Sequence, residues 1–507
     1  MSHPTQEQKT YDLLVVGGGI NGAGIARDAA GRGLSVLLVE KDDLAAHTSQ
    51  WSSKLIHGGL RYLEQYEFRL VGEALAEREV LLKVAPHLIK PLQFVLPHEP
   101  HLRPKLMLRA GLFLYDRLGG WSGQKQSLPK SFATSLAQSP DQHWGAGLKS
   151  QFVDGFVYSD AQVNDARLVV ENAKDARARG ADIRVGTQLV RAARIGDYWQ
   201  ATIRGTQSQG AHDPFENINA RAIVNAAGPW VKSLLDNIDT PETKETVKHI
   251  KGSHIIVPRV HDRKHAYILQ NRDGRIVFVI PYFERFSLIG TTDVPVTDFA
   301  TPQISEEETD YLLALANSYL AKSLTRKDIV SSYAGVRPLY DDGDSNPSEI
   351  TRDYTLKLDT HNKGAPLLNI YGGKITTYRK LAQHAIEKLL PFFPHATPSS
   401  WTHQPLQSGA TAAALRALKG ELRGRGLTQG YAHRLVNRYG MAADALANKD
   451  MGEVFDETFS EAEIGHLRDN EWANSAQSML QRRTKTNLLA TPQSLARIHV
   501  AISAALR

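Results

Sequence analysis

The chain has 507 residues, of which 42% are hydrophobic and 22% charged, and carries a formal charge of +6 with a pI near 9.1. That length predicts two or three domains, and the composition is that of a protein with ample material for packed cores. The mild positive charge suits an acidic small substrate, an anionic membrane surface or nucleic acid. There is no cysteine, which excludes disulfides, thiolate metal sites, cysteine nucleophiles and any cysteinyl-linked cofactor. No metal site is predicted. Met1 to Thr10 is polar and nowhere is there an uncharged apolar run of membrane-spanning length, so neither a signal peptide nor a transmembrane helix is expected and a cytoplasmic protein is predicted.

The first element is the most informative. Leu13 to Val16 reads as a short buried strand, followed by Gly17, Gly19 and Gly22 at the spacing of a dinucleotide-binding turn. The first glycine allows the tight turn, the second lets backbone approach a pyrophosphate, and the third lets the next helix pack closely on the strand. Gly22, Ala26 and Ala30 recur every fourth position, which flattens one helix face. Gly33 ends that helix, Ser35 to Val39 form a second strand, and Glu40 stands at its tip. A carboxylate there accepts hydrogen bonds from ribose hydroxyls and repels a phosphorylated ribose, so NADP is disfavoured. These residues do not choose between FAD and NAD.

Thr48 to Leu63 is dense in hydroxyls, glycines and basic groups. Ser52, Ser53, Lys54, His57, Gly58 and Gly59 offer many donors for phosphate or ring contacts. Phe68, Val71, Leu75 and Leu82 mark a helix that stops near Pro86. Residues 97–120 pair a wide apolar face (Leu106, Met107, Ala110, Phe113, Leu114, Leu118) with Arg103, Lys105, Arg109 and Arg117. Such a helix either lies in a membrane interface or is a core helix with a basic rim. Lys125 to Gly147 reads as loop, Asn164 to Arg179 as helix, and Ile183 to Val190 and Tyr198 to Ile203 as strands. Ala222 to Trp230 is a buried strand entering a small-residue turn. Lys251 to Asp293 predicts an antiparallel sheet inserted between parts of the nucleotide domain. Leu367 to Tyr371 leads through Gly372 and Gly373 into a helix starting near Thr376 or Thr377, whose free N–H groups suit an electron-rich ring edge. From Pro391 onward, and above all from Thr411, alanine, leucine and charged residues predict a helical domain.

The motifs Val16 to Ala26, Ser52 to Leu63, Val224 to Trp230, Lys251 to His254, Ile289 to Asp293, Gly335 to Leu339, Thr351 to Tyr354 and Gly372 to Arg379 together resemble the bacterial FAD-dependent, respiratory glycerol-3-phosphate dehydrogenases. The resemblance runs in order over residues 12 to about 390 and continues more weakly through Glu471, Trp472 and Arg482 to Lys485. It implies an α/β fold: an FAD-binding Rossmann-like domain of the glutathione-reductase and D-amino-acid-oxidase kind, with an antiparallel-sheet cap and a helical C-terminal domain. The expected division is 10–96, 150–235 and 330–390 for the discontinuous FAD domain, 97–149 for a membrane-contacting and loop insertion, 236–329 for the cap and 391–507 for the helical domain.

The resemblance also implies non-covalent FAD, oxidation of sn-glycerol 3-phosphate to dihydroxyacetone phosphate, and electron transfer to ubiquinone or another membrane quinone. It raises residues 97–120 as the membrane-contacting element, on the anionic inner face of the cell membrane; a homodimer is compatible with it, and nucleic acid is not an expected partner. A dianionic phosphate calls for Arg61, Arg337, Arg352 and Lys374, arginine for bidentate contacts and lysine as a point charge. The hydroxyl proton calls for a base: His254 is preferred and His57 is the alternative, with Arg337 and Lys374 completing the catalytic set. Gly17, Gly19, Gly22, Glu40, Ser52, Ser53, His57, Gly228, Gly373 and Thr376 are expected to hold the cofactor. The rival reading is a flavin oxidase of the same fold that uses oxygen on glycerol 3-phosphate or an amino acid.

Overall fold

The computed structural model describes residues 9–99, 102–122, 125–137, 144–206, 215–239, 245–341 and 353–507. Strand β1 (Thr10–Val16) is flanked in parallel by β2 (Val36–Glu40) and by Glu216–Asn225. Leu367–Gly372 extends the sheet on one side and Asp182–Val185 on the other, both parallel, which makes a five-stranded parallel core. Its central strands β1 and β2 are almost wholly buried because helices cover one face and the strands Thr187–Ile195 and Tyr198–Gly205 cover the other. Helix α1 (Ile20–Gly31) packs against α4 (Asp165–Ala178) and against Tyr378–Leu389. The small residues of α1 permit this: a Cβ on Gly24 would lie 2.8 Å from the Tyr378 ring. Asn164 caps α4 by accepting from the backbone N–H of Arg167.

The second sheet has ten strands and is mostly antiparallel; near one edge its longest strand, Val247–Pro258, pairs with Phe286–Gly290 and with Ser331–Tyr340. It is wider than the 236–329 segment. Ile89–Pro97 and Asp154–Val163 pair with each other over nine positions and join the sheet through Ala266–Gln270. These strands lie within or beside the segments expected in the nucleotide domain, and Ser331–Tyr340 likewise sits on the cap sheet. Pairing partners far apart in sequence decide this, and periodicity carries no information about them. One side of this sheet is covered by Glu306–Tyr319, a helix with a Ser305/Glu308 capping box.

Helix α2 (Phe68–Val84) and helix α3 (Lys105–Leu118) lie on the other side. Leu112, Tyr115 and Leu118 of α3 are buried, whereas Leu106, Met107 and Phe113 are 78%, 51% and 58% exposed. Thus α3 has one face in the core and a second apolar face in solvent. Within the stretch expected to be loop, Phe132–Ser135 is a strand that pairs with Asp154–Val163. No helix among the described residues is long and apolar enough to cross a membrane.

The C-terminal helices form their own core, from Leu415 to Ile502, with a two-residue hairpin, Val454–Phe455 against Phe459–Ser460, as their sole departure from helix and turn among the described residues there. The domain is fastened to the first sheet by buried ions. Arg482 and Arg483 bind Asp43 at 2.5 and 2.7 Å, and Arg167 of α4 binds Glu471, with Nη2 donating at 2.9 Å.

Burial holds three histidines away from their charged forms: His87 and His261 are lowered to about 4, and His265 to about 3. The unfolded chain binds these protons near pH 6.5 while the folded chain refuses them until about pH 4. Stability from these groups is therefore full above pH 6.5 and is lost as pH falls below it, by about 1.4 kcal/mol per pH unit for each histidine. Thermal unfolding is expected to shift down steeply on acidification over that window. His265→Asn should flatten the slope; an unchanged slope would remove His265 from this account.

Candidate active site

Two cavities meet on the edge shared by the two sheets. The outer one, about 330 Å³, runs along the carboxyl end of β1 and β2 and is lined by Gly17, Gly19, Glu40, His47 and Ala226 to Trp230. The inner one, about 230 Å³, lies between the nucleotide sheet and the cap. Thr48 and Ser49 line both, so the two adjoin. A crevice at the carboxyl ends of parallel strands is where open α/β sheets bind ligands.

The outer cavity fits a dinucleotide. Gly17 has φ +115°, and a Cβ there would lie 2.5 Å from the Ala226 carbonyl oxygen; a Cβ on Gly22 would lie 1.9 Å from the Gly17 carbonyl oxygen. Turn and helix are therefore in backbone contact, which brings the α1 N-terminus to the cavity floor. Glu40 is buried; its two oxygens accept the backbone N–H groups of Gly18 at 2.6 Å and Asp42 at 2.8 Å. Each oxygen keeps a second lone pair for a ribose hydroxyl. Burial raises its carboxyl above the usual range, and the two N–H donors oppose that shift. Gly228 lines the same cavity at φ +58°. Gly22 itself is structural, packed beneath the turn.

The inner cavity gathers Arg61, Arg337 and Lys374 with His57, Ser52, Ser53, Gly373 and Thr376. Lys374 Nζ lies 3.9 Å from the centroid of the Tyr62 ring, a cation–π contact. Lys374 follows Gly372 and Gly373, whose φ values of +73° and +98° make the turn into Ile375–Thr377. Asn21 of α1 donates to the Gly372 carbonyl at 3.2 Å and ties that turn to the nucleotide helix. The Thr376 hydroxyl accepts from the His57 backbone N–H at 3.3 Å. Arg337 donates to Asp293 at 2.5 Å and to Thr291 at 3.3 Å. The lining also has an apolar part: Leu60, Tyr158, Ile268, Ile276 and Phe278.

His254 lies outside both linings. It is 1% exposed, one layer behind Ser53, whose Oγ is 3.0 Å from His254 Nε2. Its ring stacks on Tyr333 at 4.7 Å. Burial, together with the nearby Lys54 and Arg337 charges, holds its pKa well below 6.5. Lys54 itself is buried against Asp165 at 2.7 Å and the Gln50 carbonyl at 2.6 Å, and Ser52 donates to the same Asp165 at 2.7 Å. This ion pair holds the loop rather than facing the cavity. Arg352 lies outside the described residues.

Asp293, Thr291 and Tyr62 line the inner cavity and had not been singled out as site residues. All three fall in or beside the quoted motifs. What was missing is the pairing: Asp293 and Arg337 are 44 residues apart, and Val247–Pro258 brings them together by pairing with Ser331–Tyr340, which carries Arg337, and with Val294–Pro295, which Asp293 precedes.

The model of the FAD-dependent oxidoreductase family matches residues 12–379. The chain is 49% identical to a glycerol-3-phosphate dehydrogenase of Pseudomonas aeruginosa, covering 97% of this chain and 94% of that protein. It is 48% identical to the aerobic glycerol-3-phosphate dehydrogenase of Escherichia coli, covering 97% of each. It is 46% identical to a D-erythritol 1-phosphate dehydrogenase of Brucella abortus, covering 96% of each. The solved glycerol-3-phosphate dehydrogenase of Bacillus halodurans, complexed with FAD, superposes with a TM-score of 0.71 at 24% identity over 99% of this chain and 95% of that one.

Proposed function

The chain belongs to the FAD-dependent oxidoreductase family, among its glycerol-3-phosphate dehydrogenases, and from that membership we propose how its cavities oxidise sn-glycerol 3-phosphate to dihydroxyacetone phosphate. The observation that carries this is the convergence of Arg61, Arg337 and Lys374 on one cavity that adjoins the glycine-lined groove. Bound FAD supplies the two-electron acceptor for the hydrogen on substrate C2. Gly17, Gly19, Glu40 and Gly228 would hold its adenine half, and Gly373 and Thr376 would hold its ring half. Arg61, Arg337 and Lys374 hold the phosphate dianion, arginine by its fork and lysine as a charge. The apolar wall of Ile268, Ile276 and Phe278 keeps water from the reacting carbon. His254 takes the hydroxyl proton.

Anaerobic bleaching of the visible flavin absorbance by sn-glycerol 3-phosphate tests this directly. Bleaching is expected, with colour returning on addition of a quinone analogue; a bound flavin indifferent to the substrate would overturn the assignment. The same cations suit other polyol phosphates, so kcat/KM is expected to be higher for glycerol 3-phosphate than for D-erythritol 1-phosphate, and the reverse order would change the substrate. Rapid recovery with oxygen and none with quinone would favour the oxidase reading.

The acceptor we propose is a membrane quinone, and α3 is the element that brings the protein to it on the cytoplasmic face. Lys105, Arg109 and Arg117 flank the exposed Leu106, Met107 and Phe113, the pattern of an interfacial helix. Leu114 packs on the core cluster instead, so it is not part of the lipid-facing set. Changing Leu106, Met107 and Phe113 to Ser should remove about 4 kcal/mol of apolar transfer energy. Binding to anionic vesicles is then expected to weaken by about 10²- to 10³-fold, with dye-linked turnover in solution kept. Unchanged vesicle binding would place the contact elsewhere.

A further inference from the structure

We propose that Ser53 is a catalytic residue of this oxidation, carrying the proton of the substrate's secondary hydroxyl to His254. The inference rests on the glycerol 3-phosphate reading above. Its basis is geometric. Ser53 lines the same inner cavity as Arg337 and Lys374, whereas His254 does not, and the Ser53 hydroxyl lies 3.0 Å from the His254 ring nitrogen Nε2.

His254 is also held where it is. Its strand pairs it with Gly290 on one side and Tyr333 on the other. A Cβ on Gly290 would lie 2.2 Å from the imidazole, so the ring occupies the space that glycine leaves. Tyr333 stacks on the ring at 4.7 Å and is itself anchored, its hydroxyl donating to the Ser52 carbonyl at 2.7 Å. A ring wedged between neighbouring strands does not swing into the cavity. Protons reach it through Ser53. Nδ1 makes no hydrogen bond among the described residues, which leaves the ring free to take the tautomer in which Nε2 accepts from Ser53 Oγ.

The groups facing His254 are Lys54 and Arg337, both cationic, the Tyr333 phenol, and Asp165 one step away on Lys54. They disfavour a resident imidazolium, so the ring waits as a neutral acceptor. A weak base suffices for this proton, because the hydroxyl becomes strongly acidic as the hydride departs. The C2–H bond breaks with both electrons going to oxidised FAD, and the C2–O bond becomes the carbonyl. The hydroxyl proton passes to Ser53 Oγ while the serine proton passes to His254 Nε2. The substrate thus loses two hydrogens, one as hydride and one as proton, and serine is regenerated.

The test is single-turnover flavin bleaching by glycerol 3-phosphate in the holoenzyme and in Ser53→Ala, Ser53→Thr, His254→Gln and the Ala/Gln double variant, with FAD per chain measured for each. Ser53→Ala should slow bleaching about 10²- to 10⁴-fold, the range of general acid–base catalysis, with FAD content and substrate KM within about twofold of the parent. Ser53→Thr, which keeps the hydroxyl, should restore most of the rate. The double variant should be no slower than the slower single one, because the two residues act as a unit. The parent should show a solvent deuterium effect on bleaching that Ser53→Ala lacks. Multiplicative losses in the double variant would overturn the relay. So would a Ser53→Ala protein that loses FAD but keeps its rate per bound flavin, since Ser53 would then only hold the cofactor. A parent protein that binds FAD and is not bleached at all would refute the substrate reading, and the relay with it.

Discussion

Replacing Arg337 with alanine is expected to lower kcat/KM for glycerol 3-phosphate by about 10³-fold, and by less than about tenfold for unphosphorylated glycerol. A hydrogen bond to a charged group contributes about 1.5 to 3 kcal/mol, and the guanidinium fork offers two to a phosphate. The larger effect comes from what remains. Asp293 now shares its charge with Arg337 at 2.5 Å; without the arginine it faces the phosphate dianion alone. A total near 4 kcal/mol corresponds to about 10³ in rate. Asp293→Asn added to Arg337→Ala should therefore recover about tenfold, which a simple loss of contact does not predict. Arg337→Lys should fall between, as it returns the charge without the fork. Steady-state kinetics on the two substrates decide the matter: equal losses on both would move Arg337 from the phosphate to the reacting carbon.

The second large effect is on cofactor retention. Gly22→Ala should leave the protein nearly free of FAD, measured as flavin absorbance per chain after purification. Its new Cβ would lie 1.9 Å from the Gly17 carbonyl oxygen, a backbone atom held by β1. The α1 N-terminus would have to lift away from the turn, and overpacking of this kind costs about 1 to 3 kcal/mol or more. The nearby Gly33 is the control. It has φ +90° and nothing within 4 Å of a Cβ, so Gly33→Ala carries backbone strain of about 1 kcal/mol and no clash. That variant should lose some thermal stability and keep its flavin. If Gly22→Ala retained a full complement of FAD, close approach of turn and helix would not be what forms the cradle.

The nucleotide half of the site was legible because it is local. Strand, glycine turn, helix and Glu40 occupy 31 consecutive residues, and the spacing of small residues alone dictates their contact. The family motifs likewise carried the cofactor and the reaction; the match over residues 12–379 agrees with the first, and the glycerol-3-phosphate dehydrogenase relatives agree with the second. Reading α3 as either a lipid-facing or a core helix understated it: Leu112, Tyr115 and Leu118 point inward, while Leu106, Met107 and Phe113 point outward. One helix carries both a core face and an exposed apolar face, which periodicity alone does not separate.

The substrate half was legible as a set of residues but not as an arrangement. That His254 lies on a strand follows from its neighbours; that it is buried behind Ser53 follows from register, because Gly290 and Tyr333 stand opposite it. The Arg337 to Asp293 pair and the recruitment of Ile89–Pro97 and Asp154–Val163 into the cap sheet have the same origin. By itself, then, the amino-acid order determined the dinucleotide turn, a short run whose conformation is set by sterics and periodicity, and through the resemblance of its motifs it determined the family, the cofactor class and the chemical types at the site. Only the tertiary structure decided which charge faces which, how deep the histidine sits and which strands share a sheet, because hydrogen-bonded register between distant segments is chosen by the packing of the whole core.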